Sequence, residues 1–475
     1  MTKKILFVNG PSQDTCDRFF GWPTPFLYAI APTVAAVKAG ELDLEYVPKM
    51  FDPIWYVEGK NDAKVKKEFA KQLNGVDIVC ASATYDSLYP TMQLFSEAKR
   101  ANQNVKTILG GPHFDETHNL AKFNQVQLSP ELVDFGIAGD GELALKALLE
   151  AIAKEKIDNT DFSLVPGNAW IYSKKGKQST SGQPLNLDAL PFMPTELADV
   201  ERHKHDFDIF KDGKGIVPTF QMIAARGCSY SCDFCSERKE LAYSNVMSVE
   251  NIIQEIQLRK EQGFRAIFFD DSTFGLYPRL KELLKELGKT GMIFGSLNRF
   301  NHLDKQETVE AYKEAGFVYL YCAIEQFDDK TLAEMKKRQG TQKIAESMKL
   351  LSQNEFMVGV SLLYGLPYET DESIKATLDF TEKWVNKGTI KLVSESVLSY
   401  HPATPAGKNL KQGFNCPPPN QGFPFNKFEE GQWYHPEHVT AEYLKKILRL
   451  SEEKFSKAMV RKRHSWYATH GFTSD

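Results

Sequence analysis

The chain has 475 residues, of which 42% are hydrophobic and 25% charged, and its formal net charge is −4. This length exceeds what one hydrophobic core usually supports, so we expect two or three domains with the composition of an ordinary soluble protein. The acidic balance argues against a general nucleic-acid-binding protein, because such proteins normally carry a basic excess.

The N-terminal apolar run ends at Gly10 and Pro11. It is too short for a signal peptide and instead predicts a first β-strand over residues 4–9. The longest mostly apolar segment, residues 26–37, contains Pro32. It falls well short of the ~20 residues that a membrane-spanning helix needs. We therefore expect a cytoplasmic protein without a membrane span.

The first 195 residues alternate short apolar runs with segments of helical periodicity. After the first strand, the predicted elements are strands at 75–83, 105–111 and 133–139 and helices at 88–102 and 142–153. This alternation predicts a doubly wound parallel sheet of the Rossmann type, with any ligand beyond the carboxyl ends of the strands. We place this domain and its linker at residues 1–195.

A Pro-rich stretch at residues 184–199 predicts the linker, and a second alternating series follows it. Its six strands are predicted at 219–225, 265–270, 292–297, 317–323, 357–363 and 391–397. Amphipathic helices separate the strands, and Ser248 is the expected N-cap of the first one, at 248–262. The series predicts a partial (β/α)6 TIM barrel at 196–400, followed by a C-terminal loop and helical extension at 401–475.

Three of the seven cysteines, Cys228, Cys232 and Cys235, lie within eight residues of one another, directly after the first barrel strand. In a reducing compartment this spacing favours metal ligation or redox chemistry over disulfides, which would also leave one thiol unpaired. Structural zinc is the alternative, but it usually needs four ligands, and no second pair of suitable spacing lies nearby. A 4Fe–4S cluster on three thiolates leaves one iron open, so we expect these residues to hold such a cluster.

The spacing C-x-x-x-C-x-x-C, with Phe234 just before the last cysteine, resembles the signature of radical S-adenosylmethionine (SAM) enzymes. The resemblance implies that the open iron binds the methionyl group of SAM. It also implies that an electron from the cluster cleaves SAM to a 5′-deoxyadenosyl radical, with Phe234 close to the cofactor. The simpler interpretation of Phe234 is a core residue.

Two later segments extend this resemblance. Residues 268–275, FFDDSTFG, resemble the family's element after the second strand, and this implies that Asp270 or Asp271 holds the methionyl ammonium. Residues 322–337 resemble its G-I-E element, which implies that Glu325 contacts the ribose or the amino acid of SAM. Each carboxylate could instead serve only as a helix cap or an ion-pair partner.

The N-terminal half resembles the cobalamin-binding domain that often precedes such barrels. The resemblance lies in GVDIVCASATYDS, TILGGPHFDET and VDFGIAGDGELALKALL, which occur in this order. It implies corrin contacts from the residues that follow the strands, namely Ser82, Thr84, Gly110, Gly111, His113, Gly139, Gly141 and Glu142.

Glycines let a backbone approach a large planar ligand closely, and the hydroxyl groups of Ser82 and Thr84 could donate hydrogen bonds to it. The sequence lacks the D-x-H-x-x-G segment that supplies a cobalt-ligating histidine in other cobalamin proteins. We therefore expect any cobalamin to bind without that ligand. His113 could also be only a solvated turn residue, and the domain could keep this fold without a corrin or bind substrate, because fold does not fix function.

With both cofactors, the resemblance implies methyl transfer to an unactivated carbon of a natural product, peptide or lipid. Three alternatives stay open: a cobalamin-dependent cyclisation or rearrangement, a radical peptide epimerase without cobalamin, and a non-catalytic iron–sulfur electron carrier or sensor. The epimerase would need a thiol hydrogen donor, for which Cys416 is the candidate, whereas Cys80 and Cys322 are predicted core residues. The expected partners are an external electron donor of the flavodoxin or ferredoxin type and a small-molecule or peptide substrate.

Overall fold

Two seven-stranded sheets organise the chain in this computed structural model. The structure describes residues 2–10, 23–53, 62–83, 87–111, 131–203, 209–212, 215–235, 237, 245–398, 405 and 439–462. Its internal contacts divide the chain into two units, and the described residues up to His203 form the first. The Pro-rich stretch predicted as a linker lies within that first unit, where it forms two short 3-10 turns, Leu187–Ala189 and Thr195–Leu197.

The first unit contains a seven-stranded sheet in the order β2-β1-β3-β4-β5-β6-β7. The strands are β1 (Lys3–Asn9), β2 (Leu44–Tyr46), β3 (Ile78–Ser82), β4 (Lys106–Gly110), β5 (Phe135–Gly139), β6 (Ala169–Ser173) and β7 (Gly176–Ser179), and the helices are α1 (Thr24–Lys38), α2 (Asp62–Gln72), α3 (Leu88–Ala101), α4 (Gly141–Ala153) and α5 (Val200–His203). β1 to β5 are parallel, which confirms the predicted parallel sheet. The order reverses between β1 and β3, so the topological switch point lies there.

The hairpin of β6 and β7 was not predicted. It extends the sheet by antiparallel pairing on β5, with Ile171 opposite Ile137 and Trp170 opposite Ala138. β7 has the sequence GKQS and is exposed along its whole length. Because it has no apolar residue on either face, it lacks the alternation by which a strand is recognised in a sequence. A polar edge strand also protects the sheet from pairing with other chains.

Both faces of β1 are buried, which is typical of a central parallel strand. Leu6 and Val8 belong to the same core cluster as Phe95 of α3. Phe7 points to the other face, where its ring lies 6.3 Å from that of Phe26 of α1. α1 itself contains Pro32, and it covers the sheet instead of spanning a bilayer. Within the stretches of chain that the structure describes, no helix has both the length and the apolar character needed to cross a membrane.

The second unit contains a seven-stranded sheet and a two-stranded one. Its strands are β8 (Lys211–Asp212), β9 (Gly215–Ile216), β10 (Thr219–Met222), β11 (Ala266–Phe269), β12 (Ile293–Asn298), β13 (Phe317–Glu325), β14 (Met357–Tyr364), β15 (Ile390–Val397) and β16 (Met459–Lys462). Its helices are α6 (Val249–Glu261), α7 (Leu280–Thr290), α8 (Gln306–Glu314), α9 (Asp329–Glu334), α10 (Thr341–Gln353), α11 (Asp371–Asn386) and α12 (Ala441–Lys454).

The large sheet is entirely parallel, and its strands follow one another in chain order from β10 to β16. The six predicted strands are all present, but β16 adds a seventh, and among the described residues the first and last strands do not pair to close a barrel. β16 lies within the segment 401–475 that was predicted to contain only loop and helix. α12 in fact ends at Lys454, and residues 459–462 pair with β15.

Two local predictions in the chain are confirmed. The Ser248 side chain accepts a hydrogen bond from the amide of Asn251 at 3.2 Å, as an N-cap does. Cys80 and Cys322 are 2% and 0% exposed, as expected of core residues within strands. In both seven-stranded sheets, the predicted site residues lie at or near the carboxyl ends of parallel strands.

Candidate active site

The cysteine loop begins where β10 ends, and a carboxylate from the neighbouring strand fixes its first residues. The amides of Ala224 and Ala225 donate to the two carboxylate oxygens of Asp271 at 3.1 and 2.5 Å. Asp271 follows β11 and is 3% exposed. Burial raises the pKa of Asp271 to about 7, although the two amides act to lower it. Asp271 therefore holds the backbone of the loop, and both of its oxygens are occupied.

A tyrosine anchors the middle of the loop. Tyr230 lies between the first two cysteines, and its hydroxyl accepts a hydrogen bond from Asn301 Nδ2 at 2.6 Å. The same hydroxyl lies 2.9 Å from His302 Nε2. Burial, together with the nearby charge of Arg299, lowers the pKa of His302 to about 4. The ring is therefore neutral at pH 7, and its Nε2 can accept a hydrogen bond from the Tyr230 hydroxyl.

The three cysteines differ in their surroundings. Cys228 is half-buried, with its sulfur 3.8 Å from Thr273 Oγ1, and Cys235 is exposed. Cys232 is buried, and Arg299 Nη1 lies 3.5 Å from its sulfur. In the described part of the chain, no three His, Cys, Asp or Glu side chains converge on a position for one metal ion. A 4Fe–4S cluster does not need such convergence, because each thiolate ligates a different iron.

The third section of the loop packs on apolar residues. Phe234 is half-buried and contacts a small core cluster that includes Met335, Leu363 and Leu366. The amide of Asp233 donates to the Met335 carbonyl at 3.0 Å. Phe234 therefore does serve as a packing residue, and its packing sets the position of the adjacent Cys235.

A pair of polar side chains lies beside the loop, at the ends of β10 and β11. Gln221 Nε2 donates to Asp270 Oδ2 at 2.6 Å. Gln221 is 1% exposed, and among the described residues its Oε1 has no hydrogen-bond partner. An unpartnered buried acceptor beside a carboxylate suits a cationic donor such as the methionyl ammonium of SAM. Gln221 was missed by the sequence analysis, although a glutamine within the buried strand TFQM is a signal for it.

Glu325 ends β13 in a left-handed conformation, with φ of 61°. The pairing of β13 with β14 is irregular there, which turns the carboxylate toward its partners. Glu325 Oε1 accepts from Lys337 Nζ at 2.8 Å, and Oε2 accepts from Ser361 Oγ at 3.0 Å. Lys337 is 3% exposed, and its ammonium also lies 5.4 Å from the ring centroid of Phe234. Lys337, which sequence reasoning missed, thus connects Glu325 to the cysteine loop.

In the first unit, the described corrin-contact candidates lie at the carboxyl edge of the sheet. Ser82 ends β3, Gly110 ends β4, Gly139 ends β5, and Gly141 begins α4. Gly111 and Glu142 follow directly, and Glu142 is 2% exposed, so it faces the interior. Thr84, His113 and Cys416 lie outside the described residues.

The fold itself accounts for two of these glycines. A Cβ on Gly139, which has φ of 90°, would lie 2.2 Å from the carbonyl of Asn168, the residue just before the unpredicted hairpin. A Cβ on Gly111, with φ of 103°, would lie 2.4 Å from the Ala83 carbonyl. A Cβ on Gly110, by contrast, would meet nothing closer than 3.7 Å. Only Gly110 of these three is therefore left without a structural reason for being glycine.

Sequence reasoning also missed a polar cluster at the end of β1. Asp52 accepts from Asn9 Nδ2 at 2.9 Å and lies 3.1 Å from Nε2 of His203. His203 is completely buried, although in the sequence it stands in a charged stretch that reads as solvent-exposed. The cluster fixes α5 against the end of β1.

Comparison with known proteins identifies similar chains. The chain is 27% identical over 398 residues to an uncharacterized methyltransferase of Pyrococcus horikoshii, covering 80% of this chain and 78% of that protein. It is 24% identical over 393 residues to the anaerobic magnesium-protoporphyrin IX monomethyl ester cyclase of Rubrivivax gelatinosus, covering 80% and 66%. Its fold resembles that of TsrM from Kitasatospora setae, a radical S-adenosylmethionine methyltransferase solved with cobalamin and a 4Fe–4S cluster, with a TM-score of 0.61, 16% identity and coverage of 86% and 74%.

Residues 222–381 match the Radical SAM superfamily. A domain of this family implies a 4Fe–4S cluster and SAM as cofactors. The residues present fit both, since the loop supplies three thiols and Gln221 supplies a buried acceptor that has no partner within the described ranges. Because the matched range contains the cysteine loop, Asp270 and Glu325 in one domain, this chain is an enzyme of the radical SAM superfamily.

Proposed function

We propose that this enzyme is a cobalamin-dependent methyltransferase that modifies an unactivated carbon of a natural product, peptide or lipid. The observation that carries the proposal is the combination of two sheets in one chain. The second sheet bears the three-thiol loop, and the first has the strand order β2-β1-β3-β4-β5, whose switch point is a ligand site in open α/β sheets. The similarity to a solved methyltransferase with cobalamin and a cluster, over 86% of this chain, supports it.

When bound, the cluster supplies the electron that cleaves SAM, and cobalamin supplies the methyl group. The chain's own residues bind and orient these groups. Cys228, Cys232 and Cys235 hold the cluster. Gln221 Oε1 and the Asp270 carboxylate accept from the methionyl ammonium. We assign the ammonium to Asp270 instead of Asp271, because both oxygens of Asp271 already accept backbone amides.

Glu325 has a different role in the proposed site. The ammonium of Lys337 pairs with the Glu325 carboxylate within the protein interior, where an unpaired charge would be costly. The carboxylate can then accept a hydrogen bond from the ribose of SAM through its remaining lone pairs. Phe234 and its apolar neighbours exclude water from this side of the loop.

For cobalamin, we propose the carboxyl edge beside the switch point, formed by Ser82 and Gly110 at the ends of β3 and β4. Ser82 borders the switch point itself, because it pairs with Asn9 of β1. The corrin would bind there without a cobalt-ligating histidine from a D-x-H-x-x-G segment. We further propose that the second sheet is the open wall of a partial barrel, because parallel strands in chain order with intervening helices are the arrangement of such barrels. An external flavodoxin- or ferredoxin-type protein would deliver the electron.

The test uses protein purified without oxygen. We expect about four iron and four sulfide per chain, a corrin absorbance, and 5′-deoxyadenosine when SAM and a low-potential reductant are added. Cys232→Ala should lose the iron, whereas Cys322→Ala, which changes a buried cysteine within β13 of the same unit, should keep it. Zinc in place of iron would exclude the proposal. A protein that contains iron and cleaves SAM but binds no corrin would show that cobalamin is not one of its cofactors. A product that carries solvent deuterium but no added methyl group would favour the epimerase.

Cobalamin-dependent cyclisation is the second candidate, because the Rubrivivax gelatinosus relative that matches 80% of this chain is named a cyclase. The two reactions differ in the fate of the SAM methyl group. With SAM labelled in that methyl group, a methyltransferase product carries the label. A cyclase product carries none.

A further inference from the structure

Arg299 contacts the cysteine loop at its most buried point. It follows β12 directly and is 5% exposed. Its Nη1 lies 3.5 Å from the sulfur of Cys232, and its Nη2 donates to the Lys337 carbonyl. The guanidinium carbon lies 3.8 Å from the ring centroid of Tyr230. Arg299 thus joins the loop to the segment whose lysine holds Glu325.

In the part of the chain that the structure describes, no carboxylate forms an ion pair with this cation. Among the described residues, the side-chain partners of Arg299 are a thiol, an aromatic ring and the Asn301 amide oxygen at 3.3 Å. The nearby His302 is neutral at pH 7, because its pKa is lowered to about 4. The ammonium of Lys337 is already paired with Glu325. A buried guanidinium without an anionic partner is costly. The Cys232 sulfur, as a thiolate ligand of the proposed cluster, is the group placed to balance the Arg299 charge.

We propose that Arg299 sets the reduction potential of the cluster by placing its positive charge against the Cys232 ligand. This inference rests on the proposed cluster at the three cysteines. Reduction adds one negative charge to the cluster, and a fixed positive charge at this distance stabilises the reduced form more than the oxidised form. Hydrogen bonds to the sulfurs and the nearby charge are general determinants of such potentials. Arg299 is a positioning residue, since it acts through Cys232 and not on substrate.

The experiment measures the midpoint potential by redox titration of the reconstituted protein, followed by electron paramagnetic resonance. The Arg299→Gln variant should keep its iron but show at least a tenfold lower reduced-to-oxidised ratio at a fixed potential, which corresponds to 59 mV for one electron. Arg299→Lys keeps the charge and should lie between that variant and the wild type. The control is Lys336→Gln, which removes an exposed cation that pairs with Asp233 of the same loop and should leave the potential unchanged.

An iron-loaded Arg299→Gln protein with the wild-type potential would overturn the inference. If Arg299→Gln loses its cluster, Arg299→Lys decides. Retention of iron by the lysine variant supports the electrostatic role, and loss of iron from both variants overturns it, because lysine preserves the charge. A wild-type protein without an iron–sulfur cluster would instead refute the proposed function. The potential is read without any methylated product, so the two failures are distinguishable.

Discussion

The ammonium of Lys337 donates to the Glu325 carboxylate at 2.8 Å, and both side chains are almost fully buried. Glu325 lies at the end of β13, and Lys337 follows α9, so the pair fixes the segment after the helix to the strand end. Removal of one partner from a buried ion pair leaves an uncompensated charge in the interior, which typically costs about 3–5 kcal/mol. Replacement of both partners avoids most of that cost.

We therefore expect Lys337→Met to lower the free energy of unfolding by about 3 kcal/mol and to raise the KM for SAM. The double variant Glu325→Gln with Lys337→Met should recover a large part of the stability, but not the affinity for SAM. Urea unfolding and 5′-deoxyadenosine formation measure the two effects. Lys336→Met is the matched control, because Lys336 is an exposed neighbour whose ion pair should contribute less than about 1 kcal/mol. If the two single variants lowered the unfolding free energy equally and changed the KM for SAM equally, the buried pair would contribute no more than an exposed one.

The adjacent carboxylates Asp270 and Asp271 should respond differently to the same substitution. Asp271→Asn puts an NH₂ group against one of the two backbone amides that start the cysteine loop. The variant should therefore lose iron and about 1–3 kcal/mol of stability. Asp270→Asn should keep its iron but bind SAM more weakly, since it removes the carboxylate that we propose as the acceptor for the methionyl ammonium. Iron content and SAM binding by equilibrium dialysis separate the effects. Weak SAM binding in an iron-replete Asp271→Asn protein, with normal binding in the other, would reverse our assignment.

The second sheet was predictable because its strands are buried on both faces. Such strands are nearly continuous apolar runs, so the prediction at 357–363 differs by one residue from β14, Met357–Tyr364. The cysteine spacing is likewise a local pattern. Both could be found without knowledge of distant contacts.

Arg299 and Lys337 could not be found in this way. In a sequence a single basic residue is indistinguishable from the many that lie in solvent. Arg299 is 67 positions away from Cys232, and only the pairing of successive strands brings the two together. The same holds for Gly139, which needs to be glycine because the carbonyl of Asn168, just before β6, lies where a Cβ would be. Long-range packing therefore determines which of the residues around a recognisable motif contribute to the site.

The His302 ring should make stability depend on pH. Burial, aided by Arg299, lowers its pKa to about 4, from an ordinary value of ~6.5. Between these values the unfolded chain takes up a proton that the folded chain does not, so this contribution is complete above pH ~6.5 and is lost as the pH falls toward 4. The stability advantage of the wild type over His302→Gln should therefore shrink from pH 7.5 to pH 5. Urea midpoints at three pH values measure it.

Asn301→Ser is the control for this pH dependence. It removes another contact of Tyr230 without removing a titrating group, so the difference between its unfolding free energy and that of the wild type should not change with pH. A wild-type advantage over His302→Gln that stays constant across the range would show that the ring titrates alike in the folded and unfolded chains.

Gly110 and Gly139 form a matched pair that tests the corrin edge. A Cβ on Gly110 meets no atom of the chain within 3.7 Å, so Gly110→Ala should leave the unfolding free energy within about 1 kcal/mol of the wild type. If the corrin approaches this edge, the added methyl group should nonetheless reduce the corrin bound per chain. Gly139→Ala should destabilise the first unit whether or not cobalamin is present, because its Cβ would overlap the Asn168 carbonyl. Corrin titration followed by absorbance, with urea unfolding of the same samples, measures both effects. Undiminished corrin binding by Gly110→Ala would place the cofactor away from the end of β4.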